Sequence, residues 1–146
     1  MRSPLVVLDT MVIVSAVSGD PRGASALAVR AIATGEATLA ISDDYLSELV
    51  RVIGYPDVEE RIGRPVRAFE AALDIGAMGI MYHPRRLDWP SLSDSGDAWV
   101  FDLAYESSAD HIVTFDQGVH DAAEALGFDA LFPEDFLDIL RRRYEP

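Results

Sequence analysis

The run LVVLDTMVIVSAV near the start of the chain is apolar except for an aspartate, a threonine and a serine. A short stretch of mostly branched apolar residues at 5–8, stopping at Asp9-Thr10, has the character of a buried strand. Residues 11–18 continue as a helix or turn. Ala24, Leu27, Ala28 and Ile32 then fall near helical spacing, which predicts a second helix beginning at Asp20-Pro21 and closed by Gly35. A second strand follows at 38–41. Ser42 has the character of an N-cap, with Asp43 and Asp44 at the positive end of the helix dipole. Leu46, Leu49, Val50 and Ile53 mark that helix's apolar face before Gly54 and Pro56 end it. Residues 57–76 predict one or two helices, 79–82 a short strand, and HPRRLDWPSLSDSG a loop with two prolines. A helix from about 97 to 107, a strand through HIVT, a helix at 118–126, a strand at 129–132 and a terminal helix after Pro133 complete the chain.

Strands alternating with helices imply right-handed crossovers and a mainly parallel sheet covered on both faces. The expected class is α/β, a three-layer α/β/α arrangement forming a single domain over residues 1–146. Sites in such folds gather beyond the carboxyl ends of the strands. Asp9 and Asp116 both sit at such ends and so share one edge of the sheet. Asp97 is in line with Val100, Phe101 and Ala104, at the head of an inward helical stripe. Glu48 borders the apolar face of the helix after the second strand. Taken singly, each acid has a plain structural use. Asp9 could cap a helix, Asp97 complement a helix dipole, Asp116 open a turn before Gly118, and Glu48 sit solvated on its helix. Four carboxylates converging on one edge would repel one another unless cations bridged them, and oxygen ligands of this kind suit Mg2+ or Mn2+.

Composition narrows the field. The chain is 49% hydrophobic, which excludes disorder, and no apolar run reaches the length of a membrane span. The first apolar run is broken by Asp9 and has no small-residue cleavage site, so a cytoplasmic domain is expected and no membrane partner. The absence of cysteine excludes disulfides, cysteine zinc sites and thiol catalysis. The three histidines have no ligand spacing. The net charge is −13, and all 12 cations are arginine. Such a charge repels nucleic acid at long range, so any action on RNA or DNA needs local arginines, metal ions or a partner.

Taken together, four segments resemble the PIN-domain family of metal-dependent ribonucleases, and most closely its VapC-like branch, the toxins of toxin–antitoxin modules. VVLDT is similar to the family's first motif, a strand followed by Asp-Thr-Asn. SDDYLSELVRVI is similar to the second, with Glu48 on its helix. DSGDAWVFDLAYESSADHIVTFD matches the third and fourth, with Asp97 opening a helix and Asp116 following Ile-Val-Thr. FPEDFLDIL resembles the closing segment of one toxin-like branch. The likeness runs over essentially the whole chain.

The resemblance implies hydrolysis of phosphodiester bonds in single-stranded RNA, with Asp9, Glu48, Asp97 and Asp116 as catalytic residues holding one or two Mg2+ or Mn2+ ions. Thr10, Thr114 and Asp94 would support those ligands through hydrogen bonds or charge. RNA contacts would fall to Arg85 and Arg86, with exposed Trp89 stacking on bases. Arg141–Arg143 are a further candidate, although compensation of the last helix's dipole explains them better. Trp99 belongs in or beside the core. A cognate antitoxin and a homodimer are the partners implied. The chain departs from the family at Met11, where the usual residue is Asn, a hydrogen-bonding side chain that a thioether cannot replace. That departure and the −13 charge keep open an alternative, a PIN-like domain that binds RNA or a protein without efficient cleavage. Phosphatases of the haloacid-dehalogenase type and response-regulator receivers also begin with a strand ending in Asp. By resemblance both use a lysine, which this chain lacks.

Overall fold

The structure, a computed structural model, describes residues 2–62, 68–90 and 92–144. Five parallel strands form one sheet in the order β3-β2-β1-β4-β5, with β1 at Leu5–Leu8, β2 at Thr38–Ile41, β3 at Gly79–Met81, β4 at His111–Val113 and β5 at Ala130–Leu131. Val6, Val7 and Leu8 of the central strand have no exposed surface. A parallel strand covered on both faces reads as a continuous apolar run, and burying each such side chain stabilises by about 1.5–3 kcal/mol.

Among the described residues eight helices lie between and after the strands: α1 (Thr10–Ser18), α2 (Ala24–Ala33), α3 (Asp43–Ile53), α4 (Pro56–Ile62), α5 (Ala68–Met78), α6 (Ala98–Ser107), α7 (Gln117–Leu126) and α8 (Pro133–Tyr144). A single 3-10 turn at Ser95–Asp97 leads into α6. The chain moves one way along the sheet from β1 to β3, then back across it to β4 and β5. Right-handed crossovers therefore put the helices of the two halves on opposite faces. Helix α6 packs across β1, β2 and β4, while α8 returns to pack on α2. The expected three-layer α/β/α class is the observed one. No helix among the described residues is long and apolar enough to cross a membrane.

Several expected boundaries move for local reasons. The helix expected from Asp20-Pro21 begins at Ala24 instead. Asp20 Oδ1 accepts from the Arg22 N–H (2.9 Å) and its carbonyl from the Gly23 N–H (2.8 Å), a turn that holds these residues out of the helix. Part of the segment expected at 57–76 lies outside the described residues, and α4 and α5 flank it. Ser42 caps α3 as expected, accepting from the Tyr45 N–H at 3.1 Å. Gly79 is where β3 meets β2 most closely, since a Cβ there would lie 2.7 Å from Ile41 Cγ2.

Candidate metal centre

The first polar residue after each of β1 and β4 builds the site. The Asp9 N–H donates to the Val113 carbonyl (2.9 Å), which extends the β1–β4 pairing by one step and fixes the aspartate at the sheet edge. Asp9 stands at the N-cap position of α1 but makes no side-chain capping bond. Its Oδ2 instead accepts from the Thr114 hydroxyl at 2.7 Å. Thr114 is fully buried, and the same hydroxyl accepts from the Asp116 N–H at 3.1 Å. One threonine thus sets the positions of two acids from different strands. Thr10, also buried, opens α1 directly beside them.

Asp97 stands at the N-cap of α6 and likewise makes no capping bond with its side chain. Neither of these two acids is therefore spent on capping its helix, and Asp9 is held by Thr114 instead. Asp116 does cap: its Oδ1 accepts from the Gly118 N–H (2.8 Å) and the Val119 N–H (3.4 Å) at the start of α7. Asp94 caps the 3-10 turn through Gly96 N–H (2.8 Å) and lends its charge to Asp97 from there. Glu48, on α3, is held by a bidentate contact with Arg51 one turn later.

Asp9, Glu48, Asp97 and Asp116 all line one cleft of about 690 Å³ at the carboxyl edge of the sheet. Their proximity registers electrostatically. Burial raises the Asp9 carboxyl above its usual range, opposed by the Thr114 bond and reinforced by the charges of Asp116 and Glu48. Asp97 is pushed up to about 6, first by burial and then by Asp116, Asp94, Asp9 and Glu48. Among the described residues no three of these side chains are gathered tightly enough to hold an ion as they stand. In this arrangement Glu48 is paired with Arg51. The donor set is nonetheless all oxygen and its charge is only partly offset by Arg51 and Arg61, which fits a hard divalent cation better than a soft metal.

The same cleft contains residues that the sequence reading passed over. Arg51 and Arg61 line it, as do Tyr55 and Phe115, both more than 40% exposed. The Arg51 guanidinium lies over the Tyr55 ring, 5.3 Å from its centroid. Met11 lines the cleft too, so a thioether occupies the wall next to the acids. A second groove of about 480 Å³ adjoins it, lined by Arg86, Trp99 and Asp44 among others and continuous through Glu48 and Arg51. Arg85 is exposed nearby in sequence, and Arg86 makes a long contact with Asp44 (3.9 Å).

Trp89 requires correction. It was expected to be exposed for stacking, but it packs against Phe101, Tyr105 and Phe128, and its Nε1 donates to Asp102 Oδ1 at 2.7 Å. Asp102 is buried on α6 and also accepts from the Leu87 N–H at 3.0 Å. This pair fastens the proline loop to the helix layer, which is a structural use. The terminal arginines lie on the far side of the molecule: Arg143 bonds the Arg2 carbonyl, close to the amino end of β1. Of the histidines, His111 pairs with Asp129 (2.6 Å), and His120 bonds the Thr114 carbonyl (2.8 Å) and stacks on Phe132.

The acids, their order and the sheet that gathers them define a class, and sequence comparison agrees. Residues 5–118 match the family model of the PIN domain, and the chain belongs to that family. A chain in the crystal structure of VapBC2 from Rickettsia felis, bound to a DNA fragment from their promoter, has the same fold. It superposes with a TM-score of 0.51 at 15% identity, covering 88% of this chain and 98% of that one. No curated protein matches the sequence.

Proposed function

We propose that the chain is a divalent-metal-dependent endoribonuclease that hydrolyses phosphodiester bonds of single-stranded RNA, and the toxin of a toxin–antitoxin pair. One observation carries the reading: Asp9 and Asp97, two helix-cap aspartates, make no capping bonds and instead share a cleft with Glu48 and Asp116, at a cost in repulsion. Two cap-position aspartates serving only structure would not be left without capping bonds in a cleft shared with two further carboxylates. Membership of the PIN-domain family and the VapBC2 neighbour support the same class.

Asp9, Glu48, Asp97 and Asp116 would hold one or two Mg2+ or Mn2+ ions. A bound ion of this kind lowers the cost of forming hydroxide from water and of charge building on a phosphate. Thr114 keeps Asp9 and Asp116 in register. Arg51 and Arg61 supply positive charge on the cleft wall, and Tyr55 and Phe115 offer exposed rings on which bases can stack. Arg86 extends the basic lining into the second groove, with exposed Arg85 next to it in the chain as a further candidate for RNA contact. The cognate antitoxin and a second copy of the chain are the protein partners this reading implies.

A second reading rests on Met11 and on the −13 charge: a domain that binds RNA or a protein but cleaves poorly. Incubating the protein with mixed single-stranded RNA and Mn2+ separates the two. Cleavage that disappears with EDTA and in Asp9→Asn is the expected result. Binding without cleavage at any metal concentration would establish the second reading.

A further inference from the structure

Thr114 sets two of the four acids, and something must set Thr114. It has no exposed surface, so its backbone groups cannot turn to water. Its N–H donates to the Leu131 carbonyl at 3.0 Å, as the Ile112 N–H does to that of Asp129 at 2.8 Å, the alternate-residue rhythm of a parallel pair. The same rhythm makes residue 133 the next donor, to the Thr114 carbonyl. Residue 133 is proline, which has no N–H. The ladder therefore ends one bond short, at the residue on which Asp9 and Asp116 depend.

His120 supplies the missing donor. Its Nε2 lies 2.8 Å from the Thr114 carbonyl oxygen. A carbonyl only accepts, so this nitrogen carries the proton. The imidazole reaches back six residues from α7 and is steadied by Phe132, whose ring stacks on it with centroids 4.0 Å apart. The His120 N–H donates in turn to the Asp116 carbonyl at 3.1 Å, in the first turn of α7. One residue thus binds Thr114 through its side chain and Asp116 through its backbone. With its N–H and carbonyl both fixed, Thr114 has its hydroxyl left for the site, donating to Asp9 at 2.7 Å and accepting from the Asp116 N–H at 3.1 Å.

We propose that His120 is a positioning residue of the metal centre, acting through Thr114 to hold the Asp9 and Asp116 carboxylates in place. This rests on the metal-centre reading above. Every link is a contact already made in the structure: ring nitrogen to carbonyl, hydroxyl to carboxylate and amide to hydroxyl. Removing a group that orients a ligand directly costs about 10–100-fold in metal affinity, and removing His120, one residue further out, should cost about 3–10-fold.

The test separates the two things imidazole brings, a donor and a flat ring. His120→Phe keeps a ring against Phe132 and loses the donor, with His120→Leu as a second donorless variant should the larger ring not fit. His120→Gln keeps an N–H donor and loses the ring. Calorimetric titration of the full chain with Mn2+ alone is expected to give an affinity about 3–10-fold weaker for His120→Phe, and within about twofold of the parent for His120→Gln. In a Thr114→Val background His120→Phe should have no further effect, since its route to the acids is gone. Amide hydrogen exchange without metal gives a second readout. The Asp116 N–H, which donates to the Thr114 hydroxyl, should exchange faster in His120→Phe and at the parent's rate in His120→Gln. Either unchanged Mn2+ affinity or unchanged Asp116 exchange in His120→Phe would overturn the proposal while leaving the metal centre standing. So would the opposite ranking, with His120→Gln the weaker binder, or an undiminished effect in the Thr114→Val background. If the parent itself fails to bind Mn2+, the metal-centre reading falls and this one with it.

Discussion

Asp97→Asn turns the electrostatics of the cleft into a measurement that needs no RNA. The substitution keeps the size of the side chain, removes one charge and breaks no capping bond, because Asp97 makes none. The Asp97 carboxyl is raised from 3.8 to about 6. Two units correspond to at most about 3 kcal/mol against the ionised form, and the open side of the cleft reduces this to about 1–2 kcal/mol. For a domain of this length that is a shift in melting temperature of about 3–6 °C. Metal-free Asp97→Asn should therefore melt above the metal-free parent at pH 8.

The pH dependence has a definite sign. An acid whose folded pKa exceeds its unfolded one holds its proton longer in the native state, so stability falls as pH rises between the two values. The advantage of Asp97→Asn should be absent near pH 4, grow up to about pH 6 and stay level above it. Excess Mn2+ should then reverse the order. A ligand at a hundredfold excess over its dissociation constant stabilises by about 2.7 kcal/mol, and the parent gains most of that. If Asp97 merely complements the α6 dipole, its loss destabilises by about 0.3–1 kcal/mol at neutral pH, and both proteins respond equally to Mn2+. Four melting curves distinguish the accounts. A variant that melts lower without metal would refute the electrostatic one.

Met11→Asn should leave the fold intact and raise, or at least preserve, Mn2+-dependent RNA cleavage, because it restores a hydrogen-bonding side chain on the cleft wall. Cleavage lost at unchanged Mn2+ affinity would show a site adapted around the thioether. Asp102→Ala should act on stability alone. It strips the Trp89 Nε1 and Leu87 N–H groups of their acceptor, which should lower unfolding free energy in urea by about 2–4 kcal/mol. Calorimetric Mn2+ affinity should stay within about twofold, and a larger drop would mean that Asp102 contributes to the metal centre.

What could be read in the chain follows from where physics is local. Val6, Val7 and Leu8 are apolar because both faces of the sheet are covered, so the first acid after them marks the strand's carboxyl end. The same logic holds for Ile112, Val113 and Asp116. Glu48 was legible through the amphipathic spacing of α3. The start of α2 was not, because a side-chain turn at Asp20 competes with the helix over two or three residues. Trp89 misled for a different reason. A loop flanked by prolines and arginines reads as solvent-exposed, whereas the acceptor that draws its indole inward is thirteen residues away on α6. The signal was an acid, Asp102, placed between two fully buried residues, Phe101 and Leu103.

The distribution of charge bears on how so acidic a protein could meet RNA. On the proposed reading, phosphate must enter a cleft lined by four carboxylates and two arginines, a formal charge of about −2 where all six are ionised. At close range in a partly dry cleft that repulsion outweighs any benefit of stacking on Tyr55 or Phe115. One divalent cation brings the cleft to neutrality and a second makes it positive. On that reading a cation held by Glu48 would compete with its Arg51 partner, whose guanidinium already lies over Tyr55 where the cleft meets the second groove. On that reading the same acids that make the cleft repel phosphate would make it attractive with a cation bound.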